Sequence, residues 1–366
     1  MKQRLFAALA ALVALCALPS AAQANHGLGT SAFVHQTNLV SNVPGAALHT
    51  DSNLVNAWGL SSSSSSPIWV SDNGMDVSTL YDGAGNAFPP PPAAPLVVQI
   101  AGGAPTGTVF NGTTDFAVSN GGTPAPARFL FASENGVISG WNPAVDVTHS
   151  IAGHTDSNAV YKGLAIGSVV TANSTANFLY ATNFHAGNVE MLDTNYHVVG
   201  TFTDPNVPDG FAPFGIQNIG GDLYVTFAKQ DVKRHDDVAG RGNGFVDVFD
   251  TSGNLIRRLA SAGALNSPWG LAIAPAGWGR VAGDVLVGNF GDGAINVFDP
   301  VTGDWRGGLK SSDTGEPLRI DGLWGLRVGN GGTGGDTNAL FFSAGPDGES
   351  NGLFGTLTPA APPTNG

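Results

Sequence analysis

Beyond the first two dozen residues, apolar positions come in short runs of β-branched and aromatic residues. Gly, Asn, Asp or Pro bound the runs, and no segment keeps a helical apolar period. The pattern predicts an almost wholly β chain. A short motif with a central glycine recurs as Trp58-Gly59-Leu60, Gly163-Leu164-Ala165-Ile166, Phe214-Gly215-Ile216, Trp269-Gly270-Leu271 and Trp324-Gly325-Leu326. Asp115-Phe116-Ala117-Val118 reads as a degenerate copy, which puts the repeats about 48 to 58 residues apart. Each copy is followed by a second run, a polar turn and a third run. One example is Asp284-Val-Leu-Val-Gly-Asn-Phe290, Gly291–Gly293, then Ala294-Ile-Asn-Val-Phe-Asp299. Asn177-Phe-Leu-Tyr-Ala-Thr-Asn-Phe184 and Asn188-Val-Glu-Met-Leu-Asp193 match it. His49-Thr-Asp-Ser-Asn53 and His154-Thr-Asp-Ser-Asn158 recur as connections between repeats.

Six all-β repeats of this size predict a six-bladed β-propeller. The run Phe33–Val40 precedes the first repeat and has no repeat of its own. It is expected to supply the outer strand of the last blade, so that the ring closes without an open edge.

The chain has 366 residues with 15 Lys+Arg against 28 Asp+Glu. Met1–Arg4 is basic, Leu5–Leu18 is apolar, and Ala22-Gln23-Ala24 has the small-residue pattern of a cleavage site. A Sec-type signal peptide over residues 1–24, cut after Ala24, is expected, with a secreted or periplasmic product. Removing it takes Lys2 and Arg4 and leaves 13 bases against 28 acids. That balance excludes nucleic acid as a partner, and no membrane insertion is expected after cleavage. The only cysteine, Cys16, lies in the signal, so a disulfide or a thiolate site is not expected. A single propeller domain over residues 25–358, a disordered tail over residues 359–366 and a monomer complete the expectation.

The runs Trp269-Gly-Leu…Gly283–Pro300, Asn38-Leu-Val…Asn56-Ala-Trp-Gly-Leu60, Lys229-Gln-Asp…His235–Gly240 and Phe341-Phe-Ser-Ala-Gly-Pro346 carry a resemblance. They are similar to a family of exported bacterial β-propellers distantly related to NHL-repeat proteins. The resemblance covers nearly all of the chain beyond the signal and implies the fold and export. Some members end in a sorting segment for surface anchoring; none is read here, which points to a soluble form.

In a four-stranded blade, the turn between the second and third strands shares a face with the connections between blades. This face would gather carboxylates and side-chain amides around one mouth. Oxygen ligands of that kind suit Ca²⁺, and the candidate metal set is Asn56, Asp115, Glu134, Asn183 and Asn289. Candidate ligand-binding residues are Asp72, Asn73, Lys162, Lys229, Asp292 and Asp321. The other reading of these positions is that Asp, Asn and Gly are what β-turns require.

The turn of the fourth repeat, Lys229–Gly244, is much longer than its counterparts and holds His235, Asp236 and Asp237. These three, with His185 in the equivalent turn of the third repeat, are the candidate acid–base groups. The residues 238–240 are small enough to let the loop fold back over the mouth. A solvated insertion is the competing reading. The three Trp-Gly-Leu tryptophans read either as a ligand platform or, because they share a repeat position, as packing between blades. No phosphate-cradling Gly-x-x-x-x-Gly-Lys-Ser/Thr loop and no His-Glu-x-x-His motif occurs.

Three functions remain: a propeller binding a small ligand, a cation or an extracellular protein at its acidic mouth; a calcium-dependent lactonase or esterase with the metal in the channel; or a non-catalytic extracellular scaffold.

Overall fold

The structure, a computed structural model, describes residues 32–363; the expected signal peptide and residues 364–366 lie outside them. Six antiparallel sheets follow one another around an axis, each starting at its inner strand. The inner strands are Ala57–Ser61, Pro105–Phe110, Tyr161–Val170, Phe211–Ile219, Pro268–Ile273 and Leu323–Val328. Blades one to five take all four strands consecutively. The sixth uses Leu323–Val328, Leu340–Ala344 and Leu353–Pro359, and its fourth strand is Phe33–Ser41 from the other end of the chain. Val34 pairs with Pro359 and Ser41 with Leu353, which closes the ring as expected. The short strands Lys310–Ser311 and His49–Thr50 then pair with Phe33–Ser41 and cover the free side of that closing strand.

The middle strands are buried at every position in Ile68–Asp72, Phe129–Ser133, Phe245–Phe249 and Val285–Asn289. A propeller blade is sandwiched between two neighbours, so both faces of its strands need apolar or internally bonded side chains. The outer strands escape this and are half exposed, as in Ile151–Thr155.

The recurring glycine has a steric cause. A Cβ on Gly59 would lie 2.4 Å from Thr106 O, and one on Gly107 would lie 2.2 Å from Leu164 N. On Gly215, Gly270 and Gly325 it would meet Trp269 O, Trp324 O and Trp58 O at 2.2, 2.4 and 2.5 Å. Six inner strands converge on the axis too closely for a side chain facing the next blade.

This ring also corrects the reading of the second repeat. Its inner strand is Pro105–Phe110, with Gly107 at the conserved place in the ring, and not Asp115–Val118. The Thr106-Gly107-Thr108 segment lacks the aromatic residue that marks other copies, so the repeat was hidden. Ala117–Val118 instead pairs with Ala125–Pro126 in a small hairpin beyond the inner strand.

The five-residue duplication is a turn. Asp51 accepts from Asn53 N at 2.9 Å, and Asp156 accepts from Asn158 N at the same distance. Asp204 repeats this with Asn206 N at 2.8 Å. Each carboxylate folds a connection between blades as an Asx turn.

Candidate functional site

The residue before each ring glycine is Trp58, Thr106, Lys162, Phe214, Trp269 or Trp324. Side chains of this register meet across the axis, because non-adjacent blades touch. Trp58 of blade one stacks on Trp324 of blade six at 3.5 Å between centroids and meets Trp269 of blade five edge-on at 6.0 Å. Phe214 of blade four packs 5.7 Å from Trp324. Trp269 Nε1 donates to Lys162 O at 2.9 Å, bridging blades five and three. The tryptophans therefore plug the upper channel on its axis; they are more than packing between neighbours. Trp58 and Trp324 are almost fully buried.

A second ring lies above the plug. Pairing of inner and second strands places Asp72, Ser133, Asn183, Phe227, Asn289 and Ala344 at one equivalent position, opposite the residue two before each ring glycine. The next residue in each case is Asn73, Glu134, Phe184, Ala228, Phe290 or Gly345. Successive residues at a strand end point to opposite sides. The members of this second set turn to the axis. Phe184 and Phe290 join the aromatic plug, and Asn73 and Glu134 join a polar arc.

The arc runs through five blades. Asn56 Nδ2 donates to Glu349 Oε1 at 3.1 Å and to Asn73 Oδ1 at 3.2 Å. Asn73 Nδ2 donates to Glu134 Oε2 at 2.9 Å. Lys162 Nζ donates to Glu134 Oε1 and, at 3.4 Å, to Asp236 Oδ1. His235 Nδ1 lies 2.8 Å from the same Asp236 oxygen. Trp324 Nε1 donates to Asn56 Oδ1 at 3.2 Å, tying the arc to the plug. The long loop of blade four thus lies against the mouth and supplies its last two members.

Lys162 is the centre of this arrangement. Its side chain is 2% exposed, and its ammonium lies 5.3 Å from the Trp58 ring centroid. A buried ammonium is costly unless paired, and two carboxylates and a π face compensate it. Burial pushes the Asp236 carboxyl up, but the His235 hydrogen bond and the Lys162 charge outweigh it and hold Asp236 below its ordinary value. Burial raises Glu349 above the usual range, against its hydrogen bond from Asn56, and the charge of Glu134 adds to the rise. Burial likewise raises Asp237, whose Oδ2 has no partner.

The expected calcium ligands do not converge. Asn56 and Glu134 share the mouth through Asn73. Asp115 follows the inner strand of blade two, so it lies on the opposite face, where it accepts from Asn177 Nδ2 at 2.8 Å. Asn183 turns into its own blade and donates to Glu190 at 2.7 Å. Asn289 does the same, donating to Ala264 O and Asp292. Glu134, His235 and Asp236 do bring ligand atoms within 4.8 Å of one another. The cation against Glu134 and Asp236, however, is the lysine ammonium. The donor set does not fit Ca²⁺ on the axis, where indole rings fill the space.

Of the remaining candidates, Asp72 is wholly buried in blade one and accepts from Thr79 at 2.8 Å. Burial pushes its carboxyl well above the ordinary range. Asp292 caps its own turn at Ala294 N, and Asp321 accepts from Asp347 N. His185 and Lys229 are exposed on the rim. Gln230, whose Nε2 donates to Phe184 O, lies at the mouth without having been singled out as a site residue.

The arrangement offers alternating donors and acceptors around a sealed aromatic floor, and an imidazole held by a carboxylate at its edge. It can hold hydroxyl or ammonium groups, and the His235–Asp236 pair can accept a proton.

No family model matches the chain. Uncharacterized protein R648 of Acanthamoeba polyphaga mimivirus is 34% identical over 331 residues, covering 87% of this chain and 78% of that protein. Uncharacterized protein L690 of the same virus is 35% identical over 334 residues, covering 87% and 84%. Among solved structures, a streptogramin B lyase superposes with a TM-score of 0.51 at 12% identity, covering 90% of this chain and 98% of that one. At that identity the likeness is one of fold.

Proposed function

The chain belongs to the family of the mimivirus proteins R648 and L690, and from the geometry of its mouth we propose that it is a ligand-binding propeller whose top face takes a small hydroxylated or cationic ligand. The observation that carries this is the arc from Glu349 to His235, which lines one opening with bonded polar groups from five blades. Turn chemistry alone gives no reason for such an arc to assemble on the axis. Glu134, Asp236, Asp237 and Glu349 outnumber Lys162 there, so the site favours ligands that donate hydrogen bonds or carry positive charge. The amino-terminal pattern supports export and therefore an extracytoplasmic ligand.

Calorimetric titration with polyols and with quaternary and primary amines tests the proposal. A saturable heat from one class, weakened at least tenfold by Glu134→Gln, is expected. Binding that ignores both Glu134→Gln and Asp236→Asn refutes the site, and silence from the whole panel refutes the ligand class.

A second reading has its own observation. The 2.8 Å contact between His235 Nδ1 and Asp236 Oδ1 fixes one imidazole nitrogen in the manner of a general base. If the bound ligand is also turned over, His235→Ala abolishes turnover with binding retained. Equal turnover in that variant removes the catalytic reading.

A further inference from the structure

The opposite end of the channel holds a cavity of about 280 Å³ below the narrowing of the inner strands. Its wall includes Ser62, Thr108, Phe110, Ile166, Gln217 and Arg327, drawn from the inner-strand ends of blades one, two, three, four and six. None of these residues belongs to the polar arc, and the aromatic plug lies between the two ends of the channel.

Arg327 is the unusual member. Its Nε donates to Ser62 Oγ at 2.9 Å and its Nη2 to Ser62 O at 2.8 Å. It makes no ion pair among the described residues. Lys162 pairs with Glu134, Arg258 with Asp204 and Asp247, and Arg306 with Asp284 and Asp299, whereas half-buried Arg257 and Lys310, like Arg327, have no carboxylate partner among the described residues; Arg257 donates instead to Pro300 O. A guanidinium carries five N–H donors, so three remain after Ser62. Elsewhere on the wall of the same cavity, Thr108 Oγ1 is buried without a partner. Burial pushes the guanidinium down to about 10, which leaves it charged at neutral pH. An uncompensated charge and an unpartnered hydroxyl against one cavity are costly unless something completes them.

We infer that this cavity is an anion site that binds a small organic carboxylate with a compact apolar body, its oxygens held by the free edge of the Arg327 guanidinium. The planar fork matches a carboxylate. Phe110 and Ile166 offer an apolar wall to the rest of the molecule. One guanidinium balances one negative charge, and the chain carries a net charge of −13, so a monoanion fits better than a phosphate dianion. The cavity is of the size that holds a compact acid of a few carbon atoms. A purely structural role, tying blade six to blade one through Ser62, uses only two of the donors and accounts for neither the cavity nor Thr108.

The test is a thermal-shift and calorimetric titration of the full protein with benzoate, 3-methylbutanoate, inorganic phosphate and neutral benzamide at millimolar concentration. Saturable stabilisation by the carboxylates and none by benzamide is expected, weakened at least tenfold in Arg327→Gln. If Arg327→Gln fails to fold, Gln217→Glu puts a negative charge into the same cavity with little change of shape, and it is expected to abolish the effect. The inference is overturned if neither carboxylate binds, if benzamide binds equally, if phosphate alone binds, or if carboxylate binding survives Gln217→Glu. Because these readouts do not involve the mouth, they are independent of the fate of the top-face proposal.

Discussion

Replacing Lys162 with Met removes the cation at the mouth and leaves a side chain of similar length in the aromatic plug. Glu134, whose side chain is 13% exposed, then keeps only the Asn73 hydrogen bond at 2.9 Å. Breaking a buried pair by deleting one partner costs about 3–5 kcal/mol, since the remaining charge is stranded. The contact to Asp236 adds little, because that side chain is 67% exposed and exposed pairs contribute about 0–1 kcal/mol. Lys162→Met is therefore expected to lose about 3–5 kcal/mol, and Asp236→Asn less than about 1. Adding Glu134→Gln to Lys162→Met removes the stranded charge and is expected to restore more than half of the loss. Urea unfolding followed by tryptophan fluorescence and by circular dichroism measures this. The reporters Trp58 and Trp324 lie at the site, and coincident transitions establish the two-state condition. A loss below about 1 kcal/mol for Lys162→Met, or strict additivity with Glu134→Gln, refutes the claim that the pair is a coupled unit.

Further outcomes follow from the same coordinates. Burial raises the carboxyls of Asp72, Asp237, Asp284 and Glu349, and carries Asp247 up to about 7 against its bond from Arg258. Such groups bind protons more tightly folded than unfolded, so their stabilisation is complete below the unfolded value and is lost as pH rises through the folded one. Asp204, Asp236, Asp250 and Asp299 have lowered values and lose their contribution as pH falls. Melting temperature is thus expected to peak near about pH 5 and to decline toward pH 8, less steeply in Asp247→Asn; a rise from pH 5 to 8 contradicts this. Gly107→Ala, with its Cβ 2.2 Å from Leu164 N, is expected to cost at least about 2 kcal/mol, whereas Gly200→Ala, with open space around it, stays within about 1 kcal/mol of wild type in the same unfolding assay. Thermal melts in calcium and in chelator are expected to coincide, because Lys162 fills the cation position; a shift of several degrees in calcium overturns that reading.

The number of blades and the closing strand were legible because both rest on periodicity and on edge pairing, which a sequence states directly. Blade two escaped because Thr106 and Thr108 stand where four of the five other repeats have an aromatic residue and all five have Leu or Ile. The shared feature is only Gly107, and its cause, the approach of the next inner strand, is a tertiary one. In blades three and five the site reading failed by one residue of register, whereas Asn56, Asn73, Glu134, Lys162, His235 and Asp236 do meet at the mouth. Asn183 and Asn289 were read as facing the mouth, yet they close their own turns, while Phe184 and Phe290 beside them reach the axis. Composition favoured the amides, because oxygen-bearing side chains look like ligands. At a strand end, alternation decides which of two adjacent residues faces inward, and it selected the aromatics.

That selection separates the two ends of the channel. Trp58, Trp269, Trp324 and Phe214 fill the axis below the arc, so a ligand at the mouth meets a sealed floor and cannot descend. The mouth has a surplus of carboxylates around one ammonium, whereas the far cavity has one guanidinium with no carboxylate paired to it. A single continuous channel would let these opposite charges compete for the same solute. With the aromatic plug between them, each end selects by its own charge, and substitutions at Glu134 and at Arg327 are expected to act independently on their respective ligands.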